Sequence, residues 1–158
     1  MAFTLHPATE SDRTYLQRLN FLADVFGDED GELSDDAVRG VESYVDDWDP
    51  QRDGGVIAFD SYRTPAGGVW LRYWKTPEEG HANLGPDVPE LAIAVENRFA
   101  GNALGATLLD AACELARSQG AKRIALWVDP ENPRARHRYE VFGFSDTGTG
   151  AATMAMDL

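Results

Sequence analysis

Apolar and polar positions repeat along this chain with two periods, and the places where one period gives way to the other mark its elements. Phe3-Thr4-Leu5-His6 alternates and stops at Pro7, which predicts a short first strand. Thr9-Glu10-Ser11-Asp12 offers N-cap chemistry. Beyond it Tyr15, Leu16, Leu19, Leu22, Ala23 and Phe26 recur at three- and four-residue steps, a helix ended by Gly27. Val38, Val41 and Val45 line one side of a second helix, from about Ser34 to Tyr44 or Trp48, closed by Asp49-Pro50. The middle reads as β: Val56-Ile57-Ala58-Phe59 and Val69 to Trp74 flank Thr64-Pro65-Ala66-Gly67-Gly68, a hairpin turn by composition. Thr76 to Pro89 holds three prolines and two glycines and reads as a loop. Glu90 to Val95 is a strand, and Leu104, Leu108, Ala112, Leu115 and Ala116 mark a helix ending at Gly120. Arg123 to Val128 is a strand, Pro133 to Phe142 a helix ended by Gly143, and Thr153 to Met156 a last strand. The order βαα-ββ-βαβαβ, with no repeat or linker, predicts a single α/β domain over residues 1–158 with a mixed sheet.

Composition narrows the partners. With 43% apolar and 10% aromatic residues in 158, the chain can bury a real core. Its 27 Asp+Glu against 14 Lys+Arg argue against nonspecific binding to nucleic acid or to an anionic membrane. The charge is uneven: twelve acids between Asp24 and Asp53 face only Arg39 and Arg52, whereas Arg117 to Arg138 carries six basic residues against Asp129 and Glu131. Cys113 is the only cysteine, so an internal disulfide and a cysteine-built zinc site are excluded. His6, His81 and His137 have no ligand spacing, and no metal is expected. The first residues lack the basic and long apolar regions of a signal peptide, and runs such as Leu91 to Val95 fall far short of the ~20 residues that span a bilayer. A soluble, cytoplasmic protein is the expectation.

The chemistry concentrates in two segments. In the first, a buried strand runs into Glu96-Asn97-Arg98-Phe99-Ala100-Gly101-Asn102-Ala103-Leu104-Gly105-Ala106 and then a helix. Small residues let the backbone approach a ligand, and the helix start points unpaired N–H groups at it, a combination suited to phosphate or pyrophosphate. A tight connection is the plainer alternative. No Lys follows Gly105 and no G-x-G-x-x-G is present, so the ATP P-loop and the dinucleotide fingerprint both fail. In the second segment, Val128 to Phe144, the residues Asn132, Ala135 and Tyr139 are spaced by three and four and share a helical face.

With these two segments in this order, the chain resembles the GNAT superfamily of acetyl-CoA-dependent N-acetyltransferases over nearly its whole length. The resemblance implies the GNAT fold, a mixed, mostly antiparallel central sheet flanked by helices. It implies that the pantetheine arm of acetyl-CoA pairs with the backbone of a splayed strand, here Ile93, Ala94 and Val95. The family loop Gln/Arg-x-x-Gly-x-Gly/Ala aligns with Ala100 to Gly105, so Ala100, Gly101, Asn102, Ala103, Gly105 and Ala106 would cradle the pyrophosphate. Two departures stand out: Ala100 replaces the usual Gln/Arg, and Ala103 the inner glycine, which is tolerable only at negative φ. Arg98 is a substitute for the missing cation or a solvated loop charge. Asn132 would hydrogen-bond the pantetheine, with Ala135 beside it.

The implied reaction is direct attack of an amine on the thioester. Tyr139 is the general acid, against the alternative of a core tyrosine beside Phe142 and Phe144. Glu90 stands where some family members place a base, its plainer reading being an exposed carboxylate at a strand start; His81 is a second candidate base. A backbone N–H near Val95 would meet the oxyanion. Cys113 reads as a buried apolar residue, and Trp70 and Trp74, on one strand face, as core. The acceptor expected is a small cationic amine. The competing functions are a protein or peptide acetyltransferase, which needs an open groove between the first two helices and the 76–89 loop, and a non-catalytic acyl-CoA-binding regulator. Homodimers are frequent in the family.

Overall fold

The computed structural model describes residues 2–25, 30–31, 41–149 and 152–158. Seven strands are formed by Thr4–Pro7 (β1), Gly55–Phe59 (β2), Pro65–Arg72 (β3), Glu90–Val95 (β4), Arg123–Trp127 (β5), Ser145–Asp146 (β6) and Thr153–Asp157 (β7). They make one sheet in the order β1-β2-β3-β4-β5-β7-β6. Every neighbouring pair is antiparallel except β4 and β5. Three α-helices are described: Arg13–Asp24 (α1), Leu104–Ser118 (α2) and Pro133–Phe142 (α3). No helix among the described residues is long and apolar enough to cross a membrane.

Each face of the sheet is covered by the helix whose apolar stripe matches it. The Leu104, Leu108, Ala112 and Ala116 stripe of α2 buries against Val69, Leu71, Leu91, Ile124 and Leu126, and α3 adds Ala135, Tyr139 and Phe142 at the margin. On the other face Leu16, Leu19 and Leu22 of α1 meet Ile57, Trp70 and Trp74. Full burial of such side chains stabilises the fold by about 1.5–3 kcal/mol each. The β3–β4 loop covers the rest of that second face, where Ala82 packs on Ala125 and Ala155.

The helices and strands read from periodicity are present, with three differences. The hairpin turn lies at Asp60–Thr64, where the Asp60 carboxylate accepts the Tyr62 and Thr64 amides. Pro65-Ala66-Gly67-Gly68, turn-like by composition, is instead the start of β3. That strand is sandwiched between helices, and a Cβ on Gly68 would press on Ile57 and Leu19, so packing rather than turning selects the small residues. Most of the second expected helix, with Phe26 and Gly27 that end the first, lies outside the described residues; its visible end, Glu42–Asp46, is a π-helical turn. The two-residue strand β6 was not foreseen.

A buried ion pair fastens this π turn to the sheet. Arg72, from the last position of β3, donates to Asp53 at 2.5 Å and to the Ser43 carbonyl at 2.7 Å. Asp53 also accepts the Tyr73 amide at 3.1 Å and ion-pairs with Arg52 at 2.9 Å. Both Arg72 and Asp53 are inaccessible, so removing one partner strands a charge in the interior. Asp53→Ala is expected to lower unfolding free energy by about 3–5 kcal/mol in urea denaturation; a loss under 1 kcal/mol would show the pair to be dispensable.

Candidate active site

The site begins where the two parallel strands part. β4 and β5 are paired only at Glu90 and Ala125, with Ala125 N–H donating to the Pro89 carbonyl at 2.9 Å. On the other edge of β4 the register with β3 runs unbroken to Val95 and Gly67, and Glu96 N–H donates to the Ala66 carbonyl at 2.9 Å. Strand residues present their polar groups to alternate edges, so the even positions Ala92, Ala94 and Glu96 are committed to β3. The odd positions Ile93 and Val95 direct their N–H and C=O groups into the gap beside β5. Of the three strand positions singled out above, Ile93 and Val95 therefore face the gap, while Ala94 turns its polar groups away from it.

The gap opens toward the start of α2. A 3-10 turn, Asn97–Phe99, leads through Ala100, Gly101 and Asn102 to Ala103. Ala103 is the N-cap residue of α2 and supplies no side-chain cap, so the first amides of the helix have no side-chain partner. Asn102 is occupied locally, its amide donating to the Phe99 carbonyl at 3.0 Å. The space over this start is open: a Cβ on Gly101 or Gly105 would meet nothing within 4 Å. Protein packing gives no reason for glycine at 105, the second residue of the helix, and its missing side chain leaves the backbone open to close approach. The amide row and the clear space fit a pyrophosphate.

Ala103 corrects the sequence reading. Its φ is +60°, in the left-handed region, rather than negative. The turn demands a left-handed residue, and alanine adopts that conformation at a cost of roughly 1–2 kcal/mol. Arg98, the proposed substitute cation, stacks on Phe99 with its guanidinium carbon 5.1 Å from the ring centre. It lines a cavity of about 450 Å³ with Tyr15, Arg18, Pro65, Glu96 and Asn97.

On the α2 face of the gap stands the beginning of α3. Asn132 is its N-cap: the side-chain oxygen accepts the Ala135 amide at 3.2 Å, and Pro133 takes the first helical position. Asn132 therefore fixes the helix start, and its side-chain nitrogen makes no hydrogen bond among the described residues. Tyr139 is half-buried on the same helix, edge-on to Phe144 at 6.2 Å. Among the described residues its hydroxyl makes no hydrogen bond, and burial pushes it above the ordinary tyrosine value, which keeps the proton on at neutral pH.

The opposite face holds what the sequence did not reveal. Glu90, read as an exposed carboxylate in its plainer version, is only 2% exposed. Its Oε1 accepts from Ala82 N–H at 2.8 Å, Trp74 Nε1 at 3.1 Å and His81 N–H at 3.2 Å. Its Oε2 accepts the Tyr44 hydroxyl at 2.6 Å. Burial raises the carboxyl above its usual range, while the Tyr44, Ala82 and Trp74 donors pull the other way. The loop is shaped for this contact: Gly80, at φ +73°, lies flat on the Trp74 indole, where any Cβ would overlap the ring. His81 stacks on Tyr44, with ring centres 5.8 Å apart, and lies tilted against Trp127, at 4.8 Å. Tyr44 and the loop lie 46 and 8 residues from Glu90, and only the shared strand face of Trp70 and Trp74 hinted at the cluster.

At the far end of β4, Glu96 accepts the Tyr15 hydroxyl and the Arg18 guanidinium, both at 2.8 Å. Burial works against its charge, yet Arg18 and Tyr15 outweigh it and hold the carboxyl below the usual range. Among the described residues no group of His, Cys, Asp and Glu could hold a metal ion. Cys113 is buried.

In this α/β fold a split parallel strand pair opens onto a helix start that has no side-chain cap. The model of the acetyltransferase (GNAT) family matches residues 19–144, and the chain belongs to that family. It is 30% identical over 141 residues to the mycothiol acetyltransferase of Propionibacterium freudenreichii subsp. shermanii, covering 89% of this chain and 42% of that protein. The chain spans about two fifths of the length of the curated relatives it matches, 37% and 42%. Its fold matches that of the PaiA N-acetyltransferase from Thermoplasma acidophilum, solved in complex with coenzyme A, with a TM-score of 0.72, 17% identity and full coverage of both chains. Mutant forms of the spermidine/spermine N-acetyltransferase SpeG from Vibrio cholerae match with a TM-score of 0.63 and 20% identity, over 99% of this chain and 95% of that one.

Two outcomes follow. Ala103→Gly relieves the left-handed strain and is expected to raise unfolding free energy by up to about 1 kcal/mol, with equal or tighter acetyl-CoA binding by calorimetry; a destabilised variant would contradict the strain. Because the folded Glu96 carboxyl lies below its unfolded value, its stabilisation is complete at neutral pH and is lost as pH falls through the carboxylate range. Glu96→Gln is therefore expected to flatten the acid limb of a stability–pH curve; an unchanged slope would contradict it.

Proposed function

We propose that residues 1–158 act as one N-acetyltransferase unit that moves the acetyl group of acetyl-CoA to a small cationic amine. The observation that carries this reading is the gap: the Ile93 and Val95 backbone lies exposed between β4 and β5, continuous with the bare amides at the start of α2. Ile93 and Val95 pair with the pantetheine arm, and the Asn132 side-chain nitrogen donates to it. The amides from Gly101 to Ala106 hold the pyrophosphate. Acetyl-CoA, when bound, supplies an acyl group already activated as a thioester.

The chain's own residues then have three tasks. An alkylamine has a pKa near ~10.4, so about three pH units, roughly 4 kcal/mol, separate it from its nucleophilic form at neutral pH. A base on the α1 face removes that proton. The Val95 N–H donates to the oxygen on which charge develops. Tyr139, still protonated, gives its proton to the departing sulfur, a role typically worth ~10²–10⁴-fold.

A small acceptor is favoured over a peptide by one contact set. The Tyr44–His81–Trp127 rings tie the π turn, the β3–β4 loop and β5 together, so a peptide laid between the loop and β5 would have to part them. Those faces also suit an alkylammonium, which aromatic rings attract. Of the acidic stretch, Asp53 is committed to Arg72, and Asp28, Glu29, Glu32, Asp35 and Asp36 lie outside the described residues.

The reading is tested by titrating acetyl-CoA calorimetrically, then measuring thiol release with panels of amines and peptides. Binding with turnover of small amines is expected; binding without turnover of any acceptor would make the protein an acyl-CoA-binding regulator. Tyr139→Phe is expected to keep acetyl-CoA binding and slow turnover tenfold or more. An unchanged kcat across the pH range would remove the acid assignment. If the acidic stretch steers the acceptor, its KM rises with ionic strength; a KM indifferent to salt would rule steering out.

A further inference from the structure

We infer that His81 is the group that takes the proton from the acceptor amine, and that Glu90 is the positioning residue that holds His81 in place. The inference rests on the acetyl-transfer reading and divides the labour between the two candidate bases.

Glu90 is badly placed to meet an amine. It is almost inaccessible, and both oxygens are engaged by a total of four donors from three segments of the chain. An incoming amine would have to break the contacts that fold the β3–β4 loop onto the sheet. His81 is the reverse case. The residue is exposed, its backbone amide is held by both Tyr44 Oη at 2.9 Å and Glu90 Oε1 at 3.2 Å, and its ring stacks on Tyr44 and leans against Trp127. Glu90 thus fixes the backbone, and the ladder fixes the imidazole plane.

The ladder also sets the position. Trp127 ends β5 two residues beyond Ala125, the last residue paired with β4, so the ring that His81 covers borders the mouth of the gap. Trp127 and Ala125 share a face of β5, and Ala125 packs under the loop on the α1 side. Tyr139 belongs to the cluster on the opposite face. Base and acid therefore flank the gap from its two sides. The bound ammonium first gives one proton to a His81 ring nitrogen, which passes it to water; the freed amine then forms the C–N bond, and the second proton leaves the nitrogen by the same route as the amide forms. The C–S bond breaks toward Tyr139, whose hydroxyl proton goes to sulfur. Exposed His81 returns its proton to water, and Tyr139 regains one. Among the described residues, the titratable groups facing His81 are Tyr44 from the π turn and Glu90 from β4, with the Arg72 guanidinium beyond, 4.8 Å from the Trp74 ring centre. β5 presents only the neutral Trp127.

The test compares wild type, His81→Phe, His81→Ala and Glu90→Gln. Acetyl-CoA affinity is read by calorimetry, and kcat/KM from pH 5.5 to 9.5 by thiol release, with spermidine, phenylethylamine and an N-blocked lysine as acceptors. His81→Phe keeps a ring in the ladder but no acceptor nitrogen. It is expected to bind acetyl-CoA within about twofold of wild type, to lose about 100-fold or more of kcat at pH 7, and to show an acid limb moved up toward the amine's own pKa of ~10.4, so that kcat/KM rises through the whole pH range. Added imidazole is expected to restore a tenth or more of the activity of His81→Ala. Glu90→Gln is expected to keep the acid limb where wild type has it, with a higher KM and a smaller loss in kcat. An acid limb unmoved in His81→Phe, or one moved by Glu90→Gln alone, would overturn the assignment and return the base role to Glu90. Failure of the wild type to release thiol with any acceptor would overturn the acetyl-transfer reading itself, and this inference with it.

Discussion

Two parallel strands that separate after a single residue pair create a problem the protein cannot solve alone. The peptide groups of Ile93 and Val95 point into the gap between β4 and β5, and backbone polar groups taken out of water need partners. β3 cannot supply them, because its ladder is already spent on Ala92, Ala94 and Glu96. The strand can complete its pairing only with water or with an extended ligand that behaves like another strand. Two features of the α2 start accord with a ligand: it lacks a side-chain cap, and Gly105 has no packing reason.

The rest of the structure keeps this opening rigid. α1 and α2 pack on opposite faces of β3 and β4, so neither strand can slide to close the gap. On the α1 side the Arg72–Asp53 pair ties the π turn to β3, and the π turn delivers Tyr44 to Glu90. π-helical turns are rare and cluster at functional sites, and here one extra residue in the turn brings a tyrosine and a loop to the same carboxyl. Glu90 is thus a junction at the one point where β4 and β5 still touch. A single buried carboxyl gathers the π turn, the end of β3 and the β3–β4 loop around the base of the opening.

Local periodicity was enough for the regular elements. α3 falls at Pro133–Phe142, the range its cap and glycine predicted, and α2 carries the stripe read from Leu104 to Ala116. The loop and the Asn132–Tyr139 segment were legible because each is a contiguous run with its own spacing. What escaped had non-local causes. Pro65-Ala66-Gly67-Gly68 has turn chemistry, but burial from both faces made it a strand. Ala103 carries no mark of its left-handed backbone, because alanine is the wrong residue to announce one. Glu90 looked like a surface acid since nothing near it in sequence says that donors from residues 44, 74, 81 and 82 converge on it.

The central claim is that the odd-numbered edge of β4 and the start of α2 together form the seat of acetyl-CoA. Amide NMR of the labelled protein titrated with acetyl-CoA tests it most directly. Large shifts and slowed hydrogen exchange are expected at Ile93, Val95 and Gly101 to Ala106. Ala92 and Ala94, already bonded to β3, keep their exchange rates. Perturbations confined to other surfaces, or equal protection of odd and even positions along β4, would contradict it.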